Sequence, residues 1–183
     1  MRKLQNSELN RLSVEDFKNT KKNTFSIVLD NVRSLHNVGA AFRTADAFLA
    51  EKVYLCGITG RPPHKDIRKT ALGATESVAW EYVEHTTSLL KQLKNEGYLI
   101  VCIEQVEGSI SLADFAPDGT QKYAFVFGNE VFGVEEEVVA MADSCVEIPQ
   151  FGTKHSLNIS VSVGIICWDF LSKTTLRTSE KLT

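Results

Sequence analysis

Tyr123-Ala124-Phe125-Val126-Phe127-Gly128-Asn129-Glu130-Val131-Phe132-Gly133 joins an unbroken apolar run to a polar, glycine-flanked cluster. An aromatic and β-branched run of that length fits a strand buried on both faces, as in a parallel sheet covered by helices. Gly128 and Gly133 allow turns with room for a ligand against the backbone. Asn129 and Glu130 stand at the strand's end, where open parallel sheets place their ligand crevices.

Runs of the same kind recur at 25–29, 52–56, 78–83, 99–103 and 145–148. Between them lie helical stripes. Val38, Ala41, Phe42, Ala45 and Leu49 share one face, and Leu89, Leu90 and Leu93 form another that Gly97 stops. Strand and helix alternate, so the expected class is α/β, a mostly parallel sheet flanked by helices. After Gly133 a helix is expected over 134–143, with Glu135, Glu136 and Glu137 suiting the positive end of its dipole. The last helix, 157–171, carries Leu157, Val161, Ile165 and Trp168 on one stripe, while Ile159, Val163, Ile166 and Phe170 leave almost no polar face. Such a helix must be buried on most sides, and its extra apolar face is expected to pack against a second copy of the chain.

The 183 residues, 43% of them hydrophobic, suffice for one domain with a sizeable core. The expected organisation is a basic N-terminal extension over 1–24, a domain over 25–172 and a tail over 173–183. No apolar run reaches the roughly 18 to 20 residues that span a bilayer, and the N-terminus is polar, so a cytoplasmic protein without a membrane partner is expected. Cys56, Cys102, Cys145 and Cys167 lie far apart in apolar stretches and read as reduced core residues. No clustered metal-ligand set is present in the pattern.

A net charge of −3 argues at first against a nucleic-acid partner. The distribution says more than the sum. Residues 1–24 carry six Lys or Arg against three acids, while 104–147 hold ten acids and one Lys. Arg61, Lys65, Arg68 and Lys69 form a second basic segment suited to phosphates, although solvated surface charge explains either segment equally well. The stretch 69–76 lacks the residue order of a phosphate-binding loop, and no Gly-x-Gly-x-x-Gly follows the first strand; nucleoside triphosphates and dinucleotides are therefore not the expected ligands.

Three clusters in order complete the pattern: Asn37-Val38-Gly39-Ala40-Ala41-Phe42-Arg43-Thr44-Ala45, the Phe127–Gly133 segment, and Ile148-Pro149 followed by Ser156-Leu157-Asn158-Ile159-Ser160. Their spacing resembles motifs 1, 2 and 3 of the SpoU/TrmH branch of the SPOUT superfamily. Thr70-Ala71-Leu72-Gly73-Ala74 is similar to a further family segment that precedes a strand. The resemblance covers about residues 25–171. It implies methyl transfer from S-adenosyl-L-methionine to a ribose 2′-hydroxyl of tRNA or rRNA, a C-terminal trefoil knot, and a homodimer whose subunits share each site. RNA rather than DNA is the implied partner, since only RNA offers that hydroxyl. No rRNA-type N-terminal RNA-binding domain precedes the motifs, which favours tRNA over rRNA as the expectation.

By the same resemblance Arg43, Glu130, Ser156 and Asn158 are the catalytic candidates. The cofactor candidates are Gly128, Asn129, Gly133, Ile148, Ser156 and Leu157, with Ile103, Glu104 and Gln105 on the opposite wall. Asn37, Gly39 and Arg43, with Arg61, Lys65, Arg68 and Lys69, are the RNA-binding candidates. The chemistry requires an aligned donor and acceptor, loss of a hydroxyl proton and exclusion of water, with no metal. A guanidinium is effectively always protonated, so Arg43 suits a phosphate clamp and an alkoxide stabiliser better than a base. Alternatives remain at single residues: an ion-paired Arg43, a Glu130 that anchors its turn, and Ser156 or Asn158 as a helix cap. Leu35 and His36 depart from the family's usual Pro-x-Asn approach to motif 1, which bears on RNA selectivity. A non-catalytic RNA-binding protein on the same fold is the rival reading, as is a 23S rRNA enzyme or a base methylase; loss of Arg43, Glu130 or Asn158 would favour the first, and all three are present.

Overall fold

All residues of the strand Phe25–Asp30 are buried, because the sheet it centres is covered on both faces. The computed structural model describes residues 1–5, 8–154 and 156–176; the part of the expected tail at 177–183 lies outside the described residues. The chain runs α1 (Val14–Asn19), β1 (Phe25–Asp30), α2 (Leu35–Ala47), β2 (Val53–Cys56), α3 (Lys65–Ala71), α4 (Ala74–Ser77), β3 (Trp80–Val83), α5 (Thr86–Asn95), β4 (Tyr98–Ile103), β5 (Ile110–Ser111), β6 (Lys122–Phe127), α6 (Glu136–Val139), β7 (Ser144–Glu147) and α7 (Ile159–Leu171), which continues into a π-helical turn at Ser172–Leu176. The seven strands form one sheet in the order β3-β2-β1-β6-β4-β7-β5, and every pairing is parallel.

Successive strand side chains alternate between faces, and β1 divides accordingly. Ile27 and Leu29 join Val38, Phe42, Ile67, Val163 and Phe170 on the face covered by α2, α3 and α7. Val28 joins Leu89, Leu90, Leu93 and Val138 on the face covered by α5 and α6. An aromatic knot of side chains pins α7 to the sheet: the Phe25 and Phe170 ring centroids lie 5.1 Å apart, edge to face. Edge-to-face pairs contribute about 0.5–1.5 kcal/mol beyond the area they bury.

Several elements differ from the sequence expectation. β5 has only two residues and carries no periodic signal. Strand β3 begins at Trp80 because Val78 still donates to the Ala74 carbonyl at the end of α4, 3.0 Å away. The helix expected over 134–143 shortens to α6, since Asp143 is drawn to β4: its N–H donates to the Ile100 carbonyl at 2.9 Å and its carboxylate accepts the Ile100 N–H at 2.7 Å. The segment 1–24 is not wholly peripheral, for Phe17 of α1 is buried in the main core. Cys56, Cys102 and Cys167 are buried free thiols, while Cys145 is only half-buried.

The 18 helical residues Ile159–Leu176 are long and apolar enough, by length and composition, to cross a membrane. One face of the segment packs on the core. Val163, Ile166, Cys167 and Phe170 are buried against the sheet, and Asp169 pairs with Lys173 at 2.9 Å. The outward stripe is not covered within one chain: Val161 is 48% and Trp168 56% exposed.

Candidate active site at the carboxyl edge of the sheet

Strand order reverses between β1 and β6, and in open α/β sheets the ligand crevice opens beyond the strand ends at such a point. A pocket of about 360 Å³ lies on the β6 side of that point, beyond the ends of β6, β4 and β7, within the range of small-molecule sites. Its walls are Ile103, Glu104 and Gln105 at the end of β4, Phe127 through Gly133 at the end of β6, Glu147, Ile148 and Gln150 at the end of β7, and Ser156, Leu157, Ile159 and Ser162 around the start of α7. Ile103, Glu104, Gln105, Gly128, Asn129, Gly133, Ile148, Ser156 and Leu157, all singled out from sequence, thus share one cavity. Sequence reasoning missed Phe127, Val131, Phe132, Glu147, Gln150, Ile159 and Ser162 as lining residues. Phe127, Val131, Phe132 and Ile159 lie inside the motif segments themselves, whereas Glu147, Gln150 and Ser162 had no signal beyond nearness to a motif.

The loop after β6 is built around backbone contact. A Cβ on Gly128 would lie 2.1 Å from the Gly133 carbonyl carbon, so only glycine lets the loop close. Asn129 and Gly133 then exchange backbone hydrogen bonds at 2.8 and 2.9 Å. The Asn129 side chain donates to the Asn31 carbonyl at 2.8 Å and accepts the Val131 N–H at 2.8 Å. Glu104 faces this loop from the other wall. One of its oxygens accepts the Gln105 N–H at 2.9 Å and the other the Val134 N–H at 3.0 Å, so its carboxylate joins two walls of the pocket.

Glu130 reaches out of the loop toward α2. Its carboxylate accepts the backbone N–H groups of Arg33 and Ser34, each at 3.1 Å, and the Asn37 side-chain amide at 3.1 Å. Burial pushes its carboxyl up, but the backbone amides of Glu130 itself, Arg33 and Ser34 and the Asn37 amide outweigh burial and hold it below the usual range. Ser34 is the N-cap of α2. Glu130 thereby ties the pocket loop to the helix that carries Arg43.

Arg43 is exposed, on the side of α2 opposite the buried Ala41, Phe42 and Ala45. Among the described residues no hydrogen bond or ion pair engages its guanidinium, so the ion-paired alternative is not seen. It does not line the pocket. Ser156 does, whereas Asn158 is the N-cap of α7, accepting the Ser160 N–H at 2.8 Å. Gly39, an RNA-binding candidate at a helix start where glycine would admit a phosphate close to the backbone, is placed otherwise. It is buried against α3, where a Cβ would lie 2.3 Å from the Ile67 carbonyl oxygen and 2.1 Å from the Thr70 hydroxyl; helix packing has taken the space that a phosphate would need. Asn37 faces Glu130. Lys65, Arg68 and Lys69 are exposed on α3, and Arg61 stacks over the Tyr82 ring at 4.2 Å.

Residues 24–168 match the SpoU rRNA Methylase family across most of the chain. The protein belongs to the SpoU family. This SpoU chain is 33% identical over 143 residues to the tRNA (guanosine(18)-2′-O)-methyltransferase of Aquifex aeolicus, covering 78% of the chain and 66% of that protein. It is 32% identical over 158 residues to the 23S rRNA (guanosine-2′-O-)-methyltransferase RlmB of Neisseria meningitidis serogroup B, covering 86% and 62%. The SpoU chain accordingly spans about two thirds of the length of these two relatives. Its fold superposes on the crystal structure of the A. aeolicus TrmH/SpoU tRNA modifying enzyme with a TM-score of 0.77, at 28% identity over 87% of this chain and 81% of that one.

Proposed function

We propose that this protein is an RNA 2′-O-methyltransferase, using S-adenosyl-L-methionine to methylate a ribose 2′-hydroxyl, with tRNA the favoured substrate, as a cytoplasmic homodimer. One observation carries the reading: the segments of motifs 2 and 3 line one pocket, and the motif 1 helix, whose Arg43 engages no partner among the described residues, is anchored to that pocket through Glu130. The relatives support the RNA substrate, one being named for tRNA and the other for 23S rRNA.

The pocket fits the methyl donor. Ile103, Ile148, Leu157 and Ile159 supply an apolar slot for an adenine, and Glu147 lines the same cavity, a carboxylate suited to the donor's positive charge. Gly128 lets the loop close on the Gly133 backbone, which shapes that wall of the cavity. When bound, S-adenosylmethionine supplies an electrophilic methyl group on a cationic sulfur. The remaining work belongs to the chain. Arg43 clamps a phosphate beside the target ribose and stabilises negative charge growing on its oxygen. Glu130 holds the start of α2 and so fixes how Arg43 stands relative to the pocket, and Ser156 and Leu157 form one wall of the cavity. The exposed apolar side chains Val161 and Trp168 on α7 support the dimer, since an apolar helix face favours burial.

The test is incubation of the purified protein with radiolabelled S-adenosylmethionine and unmodified tRNA or rRNA, followed by digestion to nucleosides. A 2′-O-methylnucleoside from tRNA is expected. Label in rRNA alone would move the substrate class, and donor binding without transfer to either RNA would favour the non-catalytic RNA-binding reading.

A further inference from the structure

Asn31 stands where three loops meet at the carboxyl edge of the sheet. Its φ of +53° is left-handed, a conformation that asparagine tolerates better than most residues with a Cβ. Each of its polar groups is engaged. The backbone N–H donates to the Cys56 carbonyl at 3.3 Å, and the carbonyl accepts the Asn129 side-chain amide at 2.8 Å. Oδ1 accepts the Ile58 N–H at 3.1 Å. Nδ2 donates to Glu135 Oε1 at 2.7 Å and to Asp30 Oδ1 at 3.2 Å. Gly57 makes space for this side chain, for a Cβ there would lie 2.0 Å from Asn31 Oδ1.

We propose that Asn31 is a positioning residue for methyl transfer, holding the donor-pocket loop after β6 in register with the 31–34 segment that leads to Arg43. The inference rests on the function proposed above. Only a side chain that both donates and accepts satisfies this place: the amide N–H groups lie between two carboxylates while the amide oxygen takes a backbone N–H. Asp30 is fully buried and also accepts the Thr86 hydroxyl at 2.5 Å and the Glu135 N–H at 3.3 Å. Burial, Asp30 and Glu137 push the Glu135 carboxyl up, so the acidic groups here strain against one another and the Asn31 amide relieves that strain. The connection reaches the pocket through one further residue. Asn129 donates to the Asn31 carbonyl while its own oxygen accepts the Val131 and Phe132 N–H groups at 2.8 and 3.3 Å, and Val131 and Phe132 line the cavity. A displacement of about 1 Å between reacting groups costs on the order of 100-fold in rate.

Three variants of the full chain test this: Asn31→Gly, which keeps the backbone at ease and removes the amide; Asn31→Asp, which cannot donate; and Asn31→Asp combined with Glu135→Gln, which returns a donor to face the introduced carboxylate. Turnover on RNA is measured with hydrogen–deuterium exchange of the same proteins. The expected result is a fall in kcat of at least about tenfold in both single variants with RNA KM within about threefold, faster amide exchange both at 33–37 and at 131–134, and partial recovery of kcat in the double variant. Wild-type kcat in Asn31→Gly, or unchanged exchange at both segments, overturns the inference. Should the wild-type protein transfer no methyl group at all, the proposed function fails, and exchange alone still decides whether Asn31 couples the two loops.

Discussion

The Glu130 carboxylate accepts the Ser34 backbone N–H at 3.1 Å, and Ser34 caps the helix that presents Arg43. The pocket loop and the arginine helix are thereby one mechanical unit, although they lie on different strand ends.

This contact carries a pH dependence. Glu130's carboxyl is held below its ordinary value in the folded chain, so its contribution to stability is complete above the unfolded glutamate range near ~4.3 and is lost as the pH falls through the lower folded value. Glu130→Gln should lower the Tm at neutral pH, with the difference from wild type shrinking on acidification below about pH 4. Its kcat should fall about tenfold, because an amide presents only one accepting oxygen to the N–H groups of Arg33 and Ser34 and the Asn37 amide. Thermal denaturation at stepped pH, with turnover at neutral pH, checks both.

Arg43→Ala should separate chemistry from folding. The guanidinium engages no partner among the described residues and is exposed, so unfolding free energy should change by no more than about 0.5 kcal/mol. Transfer should drop by roughly 100- to 1,000-fold, the scale for removing one transition-state donor. Calorimetry should show donor affinity unchanged, while unaltered turnover would remove Arg43 from the mechanism.

Gly128→Ala places a Cβ 2.1 Å from the Gly133 carbonyl carbon, a backbone neighbour that cannot swing aside. Overpacking of this kind costs about 1–3 kcal/mol, and the loop would have to open. Urea denaturation should register the lost stability, and equilibrium binding should show donor affinity falling with it.

Trp168→Glu puts a charge on the exposed stripe of α7, where Trp168 is 56% accessible in the single chain. Sedimentation should shift from dimer to monomer with the far-ultraviolet spectrum retained. A monomeric wild-type protein would contradict the proposed assembly.

Much of this was readable one residue at a time. The run 123–127 is a strand because an unbroken apolar stretch needs cover on both faces, and β6 has that cover. The Leu89, Leu90 and Leu93 stripe is buried as its spacing implies. Gly39 shows where such reading stops. Its place near a helix start suits phosphate approach, yet the fold lays α3 across it, and no local pattern announces a helix arriving from 28 positions away. Ser156 and Asn158, two residues apart and alike in polarity, are divided between the pocket wall and a helix cap by the direction in which the chain enters α7.

Strands, helix faces and the order of the three clusters follow from the amino-acid sequence, because periodicity and capping depend on neighbours a few residues apart. The partnerships that assemble the site belong to the tertiary structure. Asn31 meets Glu135 across 104 positions and Ser34 meets Glu130 across 96. Hydrogen bonds of that reach leave no periodic trace, since their donors and acceptors come together only after packing on both faces of the sheet has fixed where the strand ends lie.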